Sequence, residues 1–338
     1  MKTALYYETA SLADLYTWFA SEAAPTSPTW ERVCLWIAQN DAVQAQLATL
    51  PESKRQPNLF LAALKYLGAT TEPGEDLASF VDAHWAEIEQ VVVSRRTQTN
   101  EVGRCAVLAP VLASLPQPIA LIEVGMSAGA CLALDRYGYR WTDAAGEVLV
   151  EHAGHGSDVT LGCNVSGSGL RLAVPEIVWR AGVDLNLLDP ADPDSVRWLR
   201  ALVWPGEEAR ERRLASALAT AAEVPIMAVE GDATEALPGL VARAPAGTTV
   251  VVIHSAVLAY FSAEACEAHM RVLEQLRDQG VHWITNEGAR VVPGVRDLVE
   301  QLPAEPRPHF VLTLDGVPLA RVGGHGAWLD WFPGADEA

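Results

Sequence analysis

The stretch LIEVGMSAGACLALD, residues 121–135, places an acid, two glycines and a serine at alternating positions: Glu123, Gly125, Ser127 and Gly129. An apolar run leads in and a helix-like run leads out. At such a strand-to-helix junction glycines let the backbone approach a ligand closely, and the free N–H groups at the helix start face it. The dinucleotide fingerprint asks for a further glycine three residues after its second, and neither Ala130 nor Leu132 supplies it. Two readings stay open, a cofactor cradle and a tight turn.

What remains resembles the first motif of class I S-adenosylmethionine-dependent methyltransferases, acid-x-Gly-x-Gly-x-Gly, with Ser127 at the middle glycine. The resemblance implies that Glu123, Gly125, Ser127 and Gly129 line the methionine side of S-adenosylmethionine. It implies an acid for the ribose, which is Asp184 in "GVDLNLLD" or Asp143 after "YGYRWT". Asp184 arrives about 60 residues after the motif and requires the stretch 137–172 to be an inserted hairpin. A further acid, Asp232 in "VEGDATEALP", falls where that fold contacts adenine; it is equally a helix N-cap.

A second polar concentration is "SRRTQTNEVGRCA", residues 94–106. Arg95, Gln98, Thr99, Asn100, Glu101 and Arg104 combine guanidinium, amide, hydroxyl and carboxyl groups ahead of an apolar helix, so they are candidate substrate contacts. A guanidinium among Arg95, Arg96 and Arg104 could clamp a carboxylate or sulfate in two-point fashion. The plain alternative is a solvated loop with Thr99 or Asn100 as a cap. Further along, "IHSAVLAYF" ends a strand on His254, where open α/β sheets place ligands. His254 is a candidate general base, since imidazole titrates near neutrality, with Tyr260 orienting an acceptor. Glu287 and Asn286 end the next strand as similar candidates. A packed histidine is the competing role for His254.

His152, His155 and Cys163 lie in a glycine-rich stretch without a supporting carboxylate, and no metal is assigned to them. The five cysteines are odd in number and widely spaced, which suits reduced thiols in a cytoplasmic protein. Trp204 with Pro205 could wall a pocket.

These residues need a scaffold. Residues 1–115 carry apolar residues at helical spacing and predict an α-helical N-terminal cap domain. From Pro118 the pattern changes. "PIALIEVG", "PIMAVEGD", "GTTVVVIHS" and "GVHWITNEG" read as buried parallel strands, with helices between them. "HFVLTLDGVPLARV" reads as a hairpin turning at Asp315-Gly316. The expected fold is α/β: a Rossmann-like methyltransferase sheet over 116–338, parallel with a C-terminal antiparallel hairpin, carrying an insertion around 137–222. The net charge of −19 from 43 acidic and 24 basic residues disfavours nucleic acid and anionic membrane as partners. No run approaches a membrane span. A small-molecule partner fits this surface, and a homo- or heterodimer is compatible with it.

With "RTQTNEVGRCAVLAP", "IEVGMSAGACLALDRYGY", "RAGVDLNLLDPADPDSVRWLRALVWP", "ARERRLASALATA" and "IHSAVLAYF" in order, the chain resembles the bacterial domain-of-unknown-function family 2332 over roughly residues 5–330. That resemblance implies a methyltransferase-like domain behind a helical cap and no particular activity. Met126 and Ala130 depart from the family's usual residues without removing a reactive group. The expected function is the first of the following three, and the other two are its alternatives. The first is methyl transfer from S-adenosylmethionine to a small molecule. The second is an intramolecular substitution or elimination with an anionic leaving group on the same fold, without the cofactor. The third is a non-catalytic subunit supporting a partner enzyme.

Overall fold

The computed structural model describes residues 10–292, 295, 305 and 307–332. Its backbone contacts divide the chain into two units. The first holds the chain up to Thr99 together with Asp192–Ala215; the second holds Asn100–Ala191 and the chain from Ser216 on. The break at Thr99/Asn100 cuts through the polar run 94–106 instead of falling at 115/116, and 192–215 returns to the helical unit.

The first unit is helical. Its helices are α1 (Leu12–Ala23), α2 (Pro28–Ile37), α3 (Asp41–Leu47), α4 (Pro57–Leu67), α5 (Glu75–Ala83) and α6 (Trp85–Ser94). Ser11, Ser27 and Asn40 accept an N–H from Asp14, Trp30 and Val43, so the first three are side-chain capped. α5 and α6 meet at His84, whose backbone leaves the helical region at φ −113°, ψ 17°. Tyr16, Trp30 and Phe60 are fully enclosed.

In the second unit α7 (Cys105–Ser114) is almost wholly buried. Eleven strands form one sheet in the order β3-β2-β4-β11-β10-β9-β8-β7-β1-β5-β6. They are β1 (Ile119–Val124), β2 (Gly138–Thr142), β3 (Val148–His152), β4 (Thr160–Ser166), β5 (Ile177–Asp184), β6 (Met227–Glu230), β7 (Thr249–Ser255), β8 (His282–Glu287), β9 (Phe310–Leu314), β10 (Val317–Val322) and β11 (Trp328–Trp331). Four of the predicted strands are β1, β6, β7 and β8. Together with β5 they run parallel, and β9 and β10 follow antiparallel around Asp315-Gly316. The inserted stretch builds β2, β3 and β4, which join the sheet through the β4–β11 pairing.

The remaining helices are α8 (Pro193–Ala201), α9 (Glu208–Ala222), α10 (Ala233–Val241) and α11 (Ala263–Arg277). The last two cover one sheet face, where Leu237, Leu240, Leu273 and Leu276 pack with Val124, Ala181 and Val252. The helix expected after β1 does not form. Ala130–Arg136 is a kinked 3-10 segment with Ala133 off helical geometry. Its carbonyls are taken by side chains, which displaces the helical ladder: Tyr137 Oη donates to Ala130 O at 2.6 Å, Arg180 Nε to Leu132 O at 2.9 Å, and Tyr139 Oη to Leu134 O at 2.5 Å. Among the described residues no helix is long and apolar enough to cross a membrane.

Candidate functional site

The carboxyl ends of the parallel strands gather most of the second unit's buried polar residues. Glu123 and Val124 end β1, the loop Gly125–Gly129 comes next, and Asp184 ends the neighbouring β5. Asn100, Glu101, Arg104, Glu123, Ser127, Asn286 and Glu287 are all buried. Asp143, the competing acid, instead caps the β2–β3 turn by accepting the N–H groups of Ala145 and Glu147, both at 2.9 Å. Asp184 is the acid beside the glycine loop.

That loop is closed on itself. Gly125 N and Met126 N donate to Val183 O at 2.8 and 3.3 Å, and Gly129 N donates to Met126 O at 2.7 Å. Ser127 N donates to Asp184 Oδ2 at 2.8 Å, and Ala128 N to Asn100 Oδ1 at 3.3 Å. Asn100 Nδ2 also donates to Ser127 Oγ at 2.7 Å, which fixes the side chain at 3 % exposure. Ser127 has φ +52°, a left-handed conformation that a glycine would adopt without strain. At Gly125, φ +76°, a Cβ would lie 2.5 Å from Val257 Cγ2, so this glycine serves a packing contact.

Asp184 sits beside the loop, although its oxygens accept Ser127 N and Asn186 N, the latter at 2.9 Å. Asp232 is an exposed N-cap of α10 that accepts Thr234 N and Glu235 N. For S-adenosylmethionine the loop offers no free N–H between Gly125 and Gly129, and no α-helix starts behind it. The loop's N–H groups are bonded to Val183 O, Asp184 Oδ2, Asn100 Oδ1 and Met126 O.

The chemistry-bearing groups divide between the two sheet faces. His254 lies in register with Val124, on the face of α10 and α11. It is fully buried, with its Nε2 2.7 Å from the Nε2 of His269 on α11; His269 Nδ1 is 3.3 Å from Thr234 Oγ1. Burial holds His254 well below the usual histidine range, with the His269 charge adding to it, and burial lowers His269 to about 4. His254 is packed between β7 and α11 against His269. Tyr260 is 72 % exposed on a 3-10 turn.

Glu123 faces the opposite side, beside Cys131. Burial raises its carboxyl well above the usual range; Cys131 and Asp184 add to this and Arg104 works against it. Its Oε2 is buried without a hydrogen-bond partner. Glu287 accepts Val257 N at 2.8 Å and Leu258 N at 3.1 Å on Oε1. Burial pushes its carboxyl up to about 7, against those two N–H groups and the Arg104 charge. Arg104 donates Nε to Gly324 O at 2.9 Å and Nη1 to Ser255 O at 3.1 Å. The result is a buried guanidinium acting on two buried carboxyls.

Sequence reasoning misses the tail turn that supports Arg104. At Gly103 a Cβ would fall 2.3 Å from His325 O, so the turn before α7 packs directly on residues 323–326. The signal that could have found it is the run "GGHG", since clustered glycines mark close backbone approach.

The other sequence candidates fall elsewhere. Arg95 belongs to the first unit, paired with Asp194 and lying over the Tyr66 and Trp198 rings. Gln98 and Thr99 belong to that unit as well. Trp204 is packed, donating Nε1 to Asn58 Oδ1 at 2.8 Å and standing edge-on to Phe19. Among the described residues no group of three or more His, Cys, Asp or Glu could hold a metal ion.

One family model matches, over residues 13–331, described as an uncharacterized protein conserved in bacteria, the domain-of-unknown-function family 2332. No curated protein and no solved structure matches the chain.

Proposed function

For a chain that belongs to this uncharacterized bacterial family, we propose an enzyme that carries out a substitution on a small amine without S-adenosylmethionine. The order β6-β5-β1-β7-β8 is that of a doubly wound sheet, which binds ligands at its strand carboxyl ends near the order reversal. This supports a methyltransferase-like arrangement of the site. The observation that carries the cofactor-free reading is the glycine loop, whose five N–H groups all have partners inside the chain.

In this reading Glu287 is the general base. A carboxyl at about 7 is matched to proton transfer near neutral pH. An ammonium substrate gives its proton to Glu287. The freed amine nitrogen bonds to a carbon, and the C–O bond there breaks with its electron pair leaving on a sulfate or phosphate oxyanion. Asn100 and Asp184 hold the loop rigid, Arg104 tunes the carboxyls, and alignment of nucleophile and leaving group supplies much of the rate.

The test is release of inorganic sulfate or phosphate from O-sulfated and O-phosphorylated amino alcohols by the purified protein. Release is expected to rise as pH passes about 7. Glu287→Gln is expected to lower it by about 10²–10⁴-fold without loss of the folded far-ultraviolet spectrum. Release unaffected by that substitution would remove Glu287 from the role, and methyl transfer from S-adenosylmethionine would overturn the reading.

A further inference from the structure

Two arginines of the second unit are buried, and they differ in what balances their charge. Arg180, 8 % exposed, is paired with Asp135 and donates Nε to Leu132 O at 2.9 Å. Arg104, 6 % exposed, bonds only carbonyls: Nε reaches Gly324 O at 2.9 Å and Nη1 reaches Ser255 O at 3.1 Å. Those bonds and the Phe310 ring, whose centroid is 5.7 Å from Cζ, hold the guanidinium in place. Among the described residues Nη2 has no acceptor and the guanidinium forms no ion pair.

A buried charge is costly unless an opposite charge compensates it. The buried acids of the same unit are engaged otherwise. Glu287 Oε1 accepts Val257 N and Leu258 N, and Glu101 Oε1 accepts Gly103 N at 3.0 Å. Burial raises the Glu123 and Glu287 carboxyls towards their neutral forms, Glu287 to about 7. A chain of net charge −19 thus leaves one buried cation without a carboxylate partner. It bonds the last residue of β7, at the strand ends where such sheets take ligands. Arg104 is also the N-cap residue of α7, the positive end of that helix, where an anion is favoured.

We propose that Arg104 takes the sulfate or phosphate group of the substrate and holds it as it departs. This rests on the substitution proposed above and names the residue that receives its leaving group. Nη2 carries two N–H groups, and a guanidinium presents its donors in a planar fork that suits an oxyanion. As the amine nitrogen bonds to carbon, the C–O electron pair moves onto the sulfate or phosphate oxygen, and the growing negative charge is stabilised by Arg104. The proton goes to Glu287, so the guanidinium stays charged throughout.

Calorimetric titration of the whole chain with sodium sulfate and sodium phosphate, against chloride at matched ionic strength, reads the site without turnover. Saturable binding of the oxyanions and not of chloride is expected, with the amino-alcohol esters competing for it. An anion at Arg104 offsets the charge that works against the raised Glu287 carboxyl. Binding near pH 7 should therefore take up protons, read as a heat that changes with the ionisation enthalpy of the buffer. Arg104→Lys keeps the charge without the fork and should weaken binding about tenfold. Arg271→Gln, at an exposed pair with Glu267 on α11, should leave it unchanged. If Arg104→Lys does not fold, the proton uptake of the unaltered chain decides. No saturable oxyanion binding, binding without proton uptake, or full binding to folded Arg104→Lys would overturn the assignment. Oxyanion binding at Arg104 without release from any ester would count against the reaction and for the site; release at full rate by Arg104→Lys would count against the site and for the reaction.

Discussion

Glu287 links the residue scale to a measurable property of the chain. Its carboxyl keeps a proton up to about 7 in the folded state, against the ordinary 4.5. The folded state therefore binds more protons than the unfolded one between those values, and stability falls as pH rises through that window. A shift of this size corresponds to roughly 3 kcal/mol. Glu287→Gln, which keeps an oxygen for Val257 N and Leu258 N, should raise the unfolding temperature above pH 7 and change little below 4.5. Denaturant titrations across pH check this; identical curves for both proteins would show that the carboxyl titrates normally. Residue types single out Glu123 and Glu287 as charged groups at strand ends, and Arg104 in a polar run ahead of an apolar helix. That Glu123 lies on the sheet face opposite His254 depends on strand parity, which no local pattern records.

At the scale of elements, His254 and His269 join β7 to α11 through one hydrogen bond. Both are depressed, His269 to about 4, below the ordinary 6.5. The joint's contribution is present above 6.5 and is lost as pH falls through the folded values. His269→Leu should cost about 1–3 kcal/mol at pH 8 by stranding His254 Nε2, and it should flatten the loss of stability between pH 6.5 and 4. Urea melts at the two pH values measure both effects. The strands are legible because continuous apolar runs bounded by glycine leave few alternatives. The missing helix after β1 is not. "ACLALDRYG" has helical composition, yet Tyr137, Tyr139 and Arg180, the last about 50 residues downstream, claim its carbonyls.

Over the whole molecule, the order of elements along the chain foretells the helical N-terminal region, the parallel strands and the closing hairpin. It does not foretell that 192–215 returns to the helical unit, or that the inserted strands extend the main sheet. Both depend on contacts between segments far apart in sequence, which composition and periodicity do not carry. The proposal of a small-molecule partner rests on the charge balance, −19 over the whole chain. The glycine motif suggests a cofactor, and only the hydrogen-bond pattern of the folded loop argues against one. The most direct test is calorimetric titration of the purified protein with S-adenosylmethionine and S-adenosylhomocysteine. A loop with its five N–H groups already bonded predicts no heat of binding up to about 1 mM of either ligand, a free energy weaker than roughly −4 kcal/mol. Saturable binding at micromolar concentration would contradict the cofactor-free account.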